Sequence, residues 1–244
     1  RSWLAESPPQ PFFLFVHYMD PHDPYFEMPY NGRGVARVID QNPPAENAAA
    51  YHELYGEGVD YVEAQFGAIV AELDRRGLYG DTVVAVTADH GEEFQEHGGW
   101  WHGTTLYQEQ LRVPLVIKPA GTRTAPAVDG RIVELIDVAP TLMRAAGLDP
   151  APSFLGRDLL VPGADGMVLA ETDHEGNRVV ALRRGDWKVV VANPGNPRGL
   201  APVELYDLAA DPGEQNDLAA TEPGRVEEMM RALSERRAAL RRVD

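Results

Sequence analysis

The fold class of this chain is decided by residues 82–92, which read Thr-Val-Val-Ala-Val-Thr-Ala-Asp-His-Gly-Glu. Residues 82–87 are apolar or β-branched, a pattern typical of a strand buried inside a sheet. The strand ends abruptly in Asp89, His90 and Gly91. Because ligands of open α/β sheets bind beyond the carboxyl ends of the strands, this polar ending indicates a functional site.

The residues before this strand predict a long helix and a further strand. Over residues 46–76, apolar side chains recur at steps of three and four, and Gly77 is suited to end the helix. Farther upstream, residues 12–16 form a continuous apolar run that predicts another buried strand. A strand, a helix and a strand make one crossover unit, which predicts an α/β fold with a mostly parallel sheet flanked by helices.

The downstream half changes in texture after a stretch rich in proline and glycine at residues 149–166. We therefore expect residues 1–160 to belong to the α/β domain and residues 161–244 to form a smaller C-terminal subdomain. Before the boundary, the pattern predicts a strand at 113–117 and a helix from Asp137 to Gly147. After it, the pattern predicts an antiparallel sheet with strands at residues 167–171, 178–183, 187–191 and 204–207. A final helix is predicted at residues 221–242.

Composition excludes several classes of site. The chain has 244 residues, with 22 basic and 38 acidic side chains, a formal charge of −16. This charge argues against a nucleic-acid-binding surface, which needs Lys and Arg to neutralise phosphates. No apolar run approaches the roughly 20 residues of a transmembrane helix, so we expect no membrane span in this chain. The absence of cysteine excludes disulfides, thiolate metal sites and a thiol nucleophile within it.

Histidines concentrate at the ends of the two predicted strands. Five of the seven lie in two short segments, namely His17, His22, His90, His97 and His102. Asp89 and His90 supply an oxygen and a nitrogen ligand for a divalent metal, with a capping aspartate and a hydrogen-bonded loop histidine as the equally weighted alternative.

The other residues of the two segments are open to functional or structural interpretations. His22 lies between two prolines that stiffen its loop, which suits anion binding or acid–base chemistry as well as a structural role. His102 is either a general acid or a surface histidine. His17 is expected to be a packed core histidine. The remaining polar and aromatic side chains are Glu92, in a supporting or solvated position, Glu93 and Glu96, expected as solvated charges, and Trp100 and Trp101, as pocket walls or simple packing.

Ordered sequence blocks resemble the sulfatase family of the alkaline-phosphatase-like superfamily. They read PFFLFVHYMDPHDPY, VVAVTADHGEEFQEHGGWWHGTTLYQEQLRVPLVI, LIDVAPTLMRAAGLDP with FLGRDLL, LRRGDWKVVV and ELYDLAADPGEQNDLA. The resemblance implies an alkaline-phosphatase/sulfatase-like α/β fold, with residues 1–160 as the C-terminal part of the catalytic domain. It implies that the protein is a hydrolase of sulfate esters, either of small molecules or of glycans.

The resemblance also implies roles for individual residues. It makes Asp89 and His90 ligands of a divalent metal, expected to be Ca²⁺, with Mn²⁺ or Zn²⁺ as alternatives. It makes His22 a donor to the sulfate group and places His102 beside the leaving group, with His97 in a supporting position. It favours a periplasmic or secreted location and leaves a cytoplasmic one open, and it does not define the oligomeric state.

Two features of the family pattern are missing from this chain. Family members carry a pair of adjacent aspartates that completes the metal site, and a Cys or Ser segment whose cysteine becomes the formylglycine nucleophile. The chain has no Asp-Asp pair and no cysteine, and residues 7–11, Ser-Pro-Pro-Gln-Pro, lack the arginine of that segment. We therefore expect the chain to be an inactive C-terminal portion of a sulfatase-like protein, with the nucleophile upstream. The alternatives are a phosphate or phosphonate ester hydrolase, a phosphoglycerol transferase, or a non-catalytic binding module.

Overall fold

The computed structural model describes residues 2–6, 8–122, 127–163 and 166–240. Its helices are α1 Ser2–Ala5, α2 Ala48–Arg75, α3 Gln108–Leu111, α4 Val138–Ala145 and α5 Pro223–Leu240, with 3₁₀ turns at Ala45–Asn47 and Leu135–Asp137. Its strands are β1 Tyr25–Phe26, β2 Gly34–Val35, β3 Val84–Thr87, β4 Glu93–Phe94, β5 Trp100–Trp101, β6 Leu115–Lys118, β7 Met167–His174, β8 Asn177–Arg184, β9 Trp187–Ala192 and β10 Val203–Asp207.

Helix α2 confirms the periodicity of residues 46–76 and ends where the sequence predicts. Gly77 has a φ of +70°, a backbone conformation that glycine adopts without steric cost. The amide of Gly77 donates to the Asp74 carbonyl, and the amide of Leu78 donates to the Leu73 carbonyl. These two bonds satisfy carbonyls that a helix end otherwise leaves without partners, so the glycine stops α2 at this point.

The strand predicted at residues 12–16 does not form, and this prediction is wrong for the described chain. The segment is irregular, and Phe13 and Phe15 are 81% and 75% exposed. Backbone N–H and C=O groups of a strand need a neighbouring strand to pair with, and no described segment pairs with this one. An apolar run of this kind predicts that the segment is buried, but it does not identify the segment that covers it.

The strand pairs among the described residues are antiparallel, including the pair of β3 with β6. The parallel pair expected from the crossover unit is therefore not formed in this part of the chain, because its first strand has no partner. The β3–β6 pair is also less buried than expected, with Val116 of β6 61% exposed. Residues 88–92 nevertheless follow directly after the end of β3, as the sequence predicts.

The C-terminal prediction is confirmed by a four-stranded antiparallel sheet in the order β10-β9-β8-β7. Helix α5 packs on one face through Met229, Ala232 and Leu233, against Leu182, Val189 and Leu205. This face is apolar because alternate residues of a strand point to the same side of a sheet.

The opposite face of this sheet covers the segment that follows β5. Leu106 and Tyr107 of that segment are buried in one cluster with Val179, Val190 and Tyr206 of the sheet. The C-terminal sheet therefore holds the segment next to His102 in place. Residues from both sides of the proposed 160/161 boundary share this cluster, and the division into two units remains a prediction.

None of the helices in the described residues is long and apolar enough to cross a membrane.

Candidate functional site

Three histidines from separate segments lie together in the structure. The rings of His90 and His102 are stacked with centroids 3.8 Å apart, and the ring of His22 lies 5.2 Å from that of His102 and 6.4 Å from that of His90. His22 precedes β1, His90 follows β3, and His102 follows β5. The structure thus brings together three of the four residues that the sequence singled out, and the fourth, Asp89, is adjacent to His90.

Backbone carbonyls orient two of these rings. Nδ1 of His90 lies 2.7 Å from the carbonyl oxygen of Gly91, and Nδ1 of His22 lies 2.7 Å from that of Asp23. A carbonyl only accepts hydrogen bonds, so each Nδ1 carries the proton and donates it. In the neutral form of each ring, Nε2 then keeps a lone pair that can bind a metal or accept a proton.

Asp89 and His90 have the chemistry of a partial metal site. The Asp89 carboxylate is 83% exposed, and its Oδ1 lies 3.8 Å from Nε2 of His90. An exposed carboxylate beside an imidazole with a free Nε2 is a suitable pair of donors for a divalent cation. Within the described ranges, no group of three or more His, Cys, Asp or Glu side chains is arranged to hold a metal ion. The residues present therefore fit two positions of a metal site, and a closed site needs further ligands.

His102 is held by a buried carboxylate that the sequence assigned no definite role. Oε1 of Glu92 lies 3.0 Å from Nδ1 of His102, and the Tyr25 hydroxyl donates to Oε2 of Glu92 over 2.6 Å. Burial, followed by the charge of Glu92 and this hydrogen bond, raises the pKa of Tyr25 well above its usual range, so the hydroxyl keeps its proton. Glu92 is thereby fixed from one side by Tyr25, and it orients His102 from the other.

Helix α2 approaches the His22 loop most closely at Gly58. A Cβ at this position would lie 2.7 Å from the carbonyl oxygen of Asp20, two residues before His22. Asp20 and Pro21 therefore pack directly on the helix backbone. This contact explains why a glycine stands inside α2, where glycine otherwise costs stability.

We predict opposite effects for two alanine substitutions in α2. Gly58→Ala is expected to lower the free energy of unfolding by about 1–3 kcal/mol, because the new methyl group pushes the His22 loop away. Gly56→Ala is the matched control, since a Cβ there meets no atom within 4 Å. The control is expected to add about 0.4–1 kcal/mol of stability. Urea denaturation of both variants checks the prediction, and equal effects would contradict it.

His97 lies outside the histidine cluster and has a supporting position, stacked on Tyr107 with centroids 3.7 Å apart. Nδ1 of His97 is 2.8 Å from Oε1 of Glu109, and Nε2 is 3.0 Å from the carbonyl oxygen of Glu214. Burial disfavours the charged ring, but the hydrogen bonds and charges of Glu109 and Glu214 together outweigh burial and raise the pKa of His97. His97 thus connects the loop before β5 to Glu214, which follows β10.

The raised pKa of His97 predicts a pH dependence of stability. A group whose pKa is higher in the folded state contributes its full stability below its unfolded pKa of about 6.5, and this contribution is lost as the pH rises through the folded value. We therefore expect His97→Gln to destabilise the protein more at about pH 6 than at about pH 9. Chemical denaturation at the two pH values measures this difference. The difference should shrink in a Glu109→Gln background, and a pH-independent effect of His97→Gln would contradict the assignment.

The expectation that Glu93 is a solvated charge is wrong. Glu93 is fully buried, and its two oxygens accept hydrogen bonds from the Arg198 guanidinium over 2.8 and 2.9 Å. Its Oε1 also accepts from the amide of Gly99. Burial of a carboxylate requires such a partner, and Arg198 lies too far along the chain for a local pattern to indicate the pair.

Three other interpretations from the sequence are settled by burial. Trp100 and Trp101 are buried, and their indole N–H groups donate to the carbonyls of Pro43 and Gln41. They therefore pack the loop before α2 and do not line an open pocket. His17 is exposed, so its expected place in the core is wrong, because the strand expected beside it is absent.

Comparisons with known proteins show which family and which solved structures this chain resembles. A family model described as Sulfatase matches residues 1–148. Choline-sulfatase of Rhizobium meliloti is 28% identical over 256 residues, covering 90% of this chain and 48% of that protein. Arylsulfatase K of Bos taurus is 30% identical over 191 residues, covering 72% of this chain and 34% of that protein. The chain thus spans about half the length, or less, of these relatives.

Solved structures share the fold. A 2-O GAG sulfatase superposes with a TM-score of 0.70 at 22% identity, covering 81% of this chain and 45% of the other. The phosphonate monoester hydrolase of Agrobacterium radiobacter superposes with a TM-score of 0.65 at 24% identity, covering 86% and 45%. These similarities confirm the expected α/β fold class of the alkaline-phosphatase and sulfatase type.

Proposed function

The chain belongs to the sulfatase family, and on that premise we propose that the complete protein hydrolyses a sulfate ester where His22, His90 and His102 meet. The observation that carries the proposal is the convergence of these three imidazoles from three separate segments. Each ring is oriented through its Nδ1, so each has its Nε2 left for a bound group. Three oriented imidazoles around one space suit the binding and cleavage of an anionic ester.

Family membership implies a divalent metal and a formylglycine nucleophile. We propose that Asp89 and His90 hold the metal, that it is Ca²⁺ with Mn²⁺ or Zn²⁺ as alternatives, and that the other ligands and the nucleophile lie outside this chain. When bound, the metal neutralises negative charge on the ester and on the nucleophile. The neutral tautomer of His90 supports this role, because its Nδ1–H donates to the Gly91 carbonyl and leaves the Nε2 lone pair available.

In this proposal His22 binds the sulfate group as an imidazolium. Its Nδ1–H donates to the Asp23 carbonyl, and its Nε2–H is then available for a sulfate oxygen. Oδ1 of Asp23 lies 3.6 Å from Nδ1 of His22. His22 thus adds a charge-assisted hydrogen bond to the anion, which is stronger than a bond between neutral groups.

His102 supplies the proton to the leaving group in this proposal. When the S–O bond to the alcohol breaks, its electron pair stays on the alcohol oxygen, which takes the proton from Nε2 of His102. The neutral imidazole that remains still donates Nδ1–H to Glu92. Water supplies the oxygen that replaces the alcohol at sulfur, so the products are the free alcohol and inorganic sulfate.

Matched esters test the proposal against its alternatives. The complete protein, loaded with Ca²⁺, is assayed with the sulfate and the phosphate ester of one alcohol. We expect kcat/KM to be at least about tenfold higher for the sulfate, and we expect a chelator to abolish turnover. A preference for the phosphate would favour the phosphate and phosphonate hydrolases of the superfamily. No turnover of either ester would favour a non-catalytic module. A preference for the phosphate ester and an absence of turnover would each contradict the proposal.

A further inference from the structure

The hairpin between β7 and β8 reaches the segment that carries His102. The Thr172 hydroxyl donates to the Gly103 carbonyl over 2.7 Å. The ring of His174 faces Gly103 so closely that a Cβ on this glycine would lie 3.1 Å from Cδ2 of the ring. Since Gly103 directly follows His102, the tip of the hairpin lies beside the group proposed to protonate the leaving alcohol.

The same hairpin tip contacts the loop that follows His22. Oε1 of Glu175 accepts a hydrogen bond from Nη2 of Arg37 over 2.7 Å and lies 3.6 Å from Nε2 of His174. The backbone amide of Arg37 donates to the carboxylate of Asp23, the residue next to His22. Arg37 and Glu175 therefore connect the loops of the two proposed catalytic histidines and form one edge of the site.

We propose that Arg37, His174 and Glu175 bind the alcohol portion of the ester and select a polyhydroxylated alcohol, such as a sugar. The inference rests on the proposed sulfate ester hydrolysis and names the substrate class of that site. Because His102 donates to the leaving oxygen, the rest of the alcohol extends toward the groups beside His102. Those groups are the hairpin tip and the arginine paired with it.

The hydrogen-bonding capacity of this edge supports a hydroxylated ligand. The guanidinium of Arg37 has five N–H donors, and the pair with Glu175 uses only part of them. The side chains of Glu175 and His174 are 54% and 47% exposed, which leaves acceptors and donors open to solvent. Fixed donors beside fixed acceptors match adjacent hydroxyl groups, each of which donates and accepts.

The placement of aromatic rings argues against other alcohols. A quaternary ammonium or aryl group is bound by exposed aromatic faces. Tyr25 of β1 and Trp100 and Trp101 of β5 are buried in one cluster and present no such face to solvent.

The backbone of Glu175 gives a second, independent observation. The hairpin loop has two residues, and Glu175 and Gly176 have φ values of +50° and +80°. Hairpins of this kind prefer Asn or Gly at both positions, because a residue with a larger side chain is strained there. Strain of this kind often marks functional sites, and the presence of a glutamate at this strained position fits a role for its side chain in binding.

Substrate competition in the complete protein tests the inference. The substrates are a glucosamine sulfate monoester and 4-nitrophenyl sulfate, and the variants are Arg37→Ala and Glu175→Ala. We expect each variant to lower the ratio of kcat/KM for the sugar ester to that for the aryl ester by about tenfold. Arg33→Ala, an exposed arginine of the same loop, is the control and should keep the wild-type ratio.

Product inhibition gives a measurement that does not depend on the chemical step. In Arg37→Ala, inhibition by free glucosamine should weaken about tenfold, whereas inhibition by inorganic sulfate should stay within about twofold. An unchanged substrate ratio with unchanged glucosamine inhibition would overturn the inference and leave sulfatase activity intact. A wild-type protein that free glucosamine does not inhibit would also overturn it. Failure of the proposed function differs from both, because the wild type would then hydrolyse neither sulfate ester.

Discussion

Replacing His102 by alanine in the complete protein is expected to lower kcat for an alkyl sulfate by about 10²–10⁴-fold. An alkoxide is a poor leaving group, so cleavage of its S–O bond depends on the proton that His102 supplies. The same variant should lose much less with 4-nitrophenyl sulfate, because nitrophenolate leaves without protonation. Steady-state kinetics with the two esters measure the difference.

The leaving-group dependence separates acid catalysis by His102 from a structural role. Loss of folding or of substrate binding would reduce turnover of both esters equally. His17→Ala is a suitable control, because His17 is exposed and lies in the segment that leads to the His22 loop. Equal losses with both esters in His102→Ala would contradict the proposed proton transfer.

Replacing Lys188 by methionine is expected to lower the free energy of unfolding by about 3–5 kcal/mol. Lys188 is 1% exposed, its ammonium lies 2.6 Å from Oε1 of Glu214, and it donates to the Leu106 carbonyl over 2.5 Å. Burial lowers the pKa of Lys188, and the charge of Glu214 opposes this shift. Removing the lysine leaves a buried carboxylate without its counterion, which is far more costly than losing an exposed ion pair.

A mutant cycle checks this expectation by chemical denaturation. The double variant Lys188→Met/Glu214→Gln removes both charges and should be more stable than Lys188→Met alone. Arg178→Met, an exposed cation on the adjacent strand β8, should change stability by less than about 0.5 kcal/mol. A Lys188→Met variant as stable as Arg178→Met would show that the buried pair does not hold the C-terminal sheet against the segment next to His102.

Features set by local sequence were predictable in this chain. The periodicity of residues 46–76 and the glycine at its end define α2 because helix contacts repeat within one turn. The alternation and turn residues of the C-terminal part define β7 to β10 for a similar reason. The clustering of His22, His90 and His102 followed from their places near strand ends, although the strand before His22 does not form.

Features set by distant contacts were not predictable. Glu93 and Arg198 are separated by 105 positions, and Lys188 contacts Leu106 across 82. The sequence around each of these residues does not indicate such a distant partner. The strand prediction for residues 12–16 is wrong for the same reason, because an apolar run does not identify the segment that covers it.

The most direct test of the central claim is to titrate the complete protein with inorganic sulfate, the expected product, and to follow the histidine ring resonances by NMR. Resonances are assigned by single substitutions. If the three imidazoles surround the sulfate, the signals of His22 and His102 should shift together at one dissociation constant, while those of His97, which is held by Glu109 and Glu214, should not move. Unchanged His22 and His102 signals at saturating sulfate, or shifts at unrelated concentrations, would contradict a shared site.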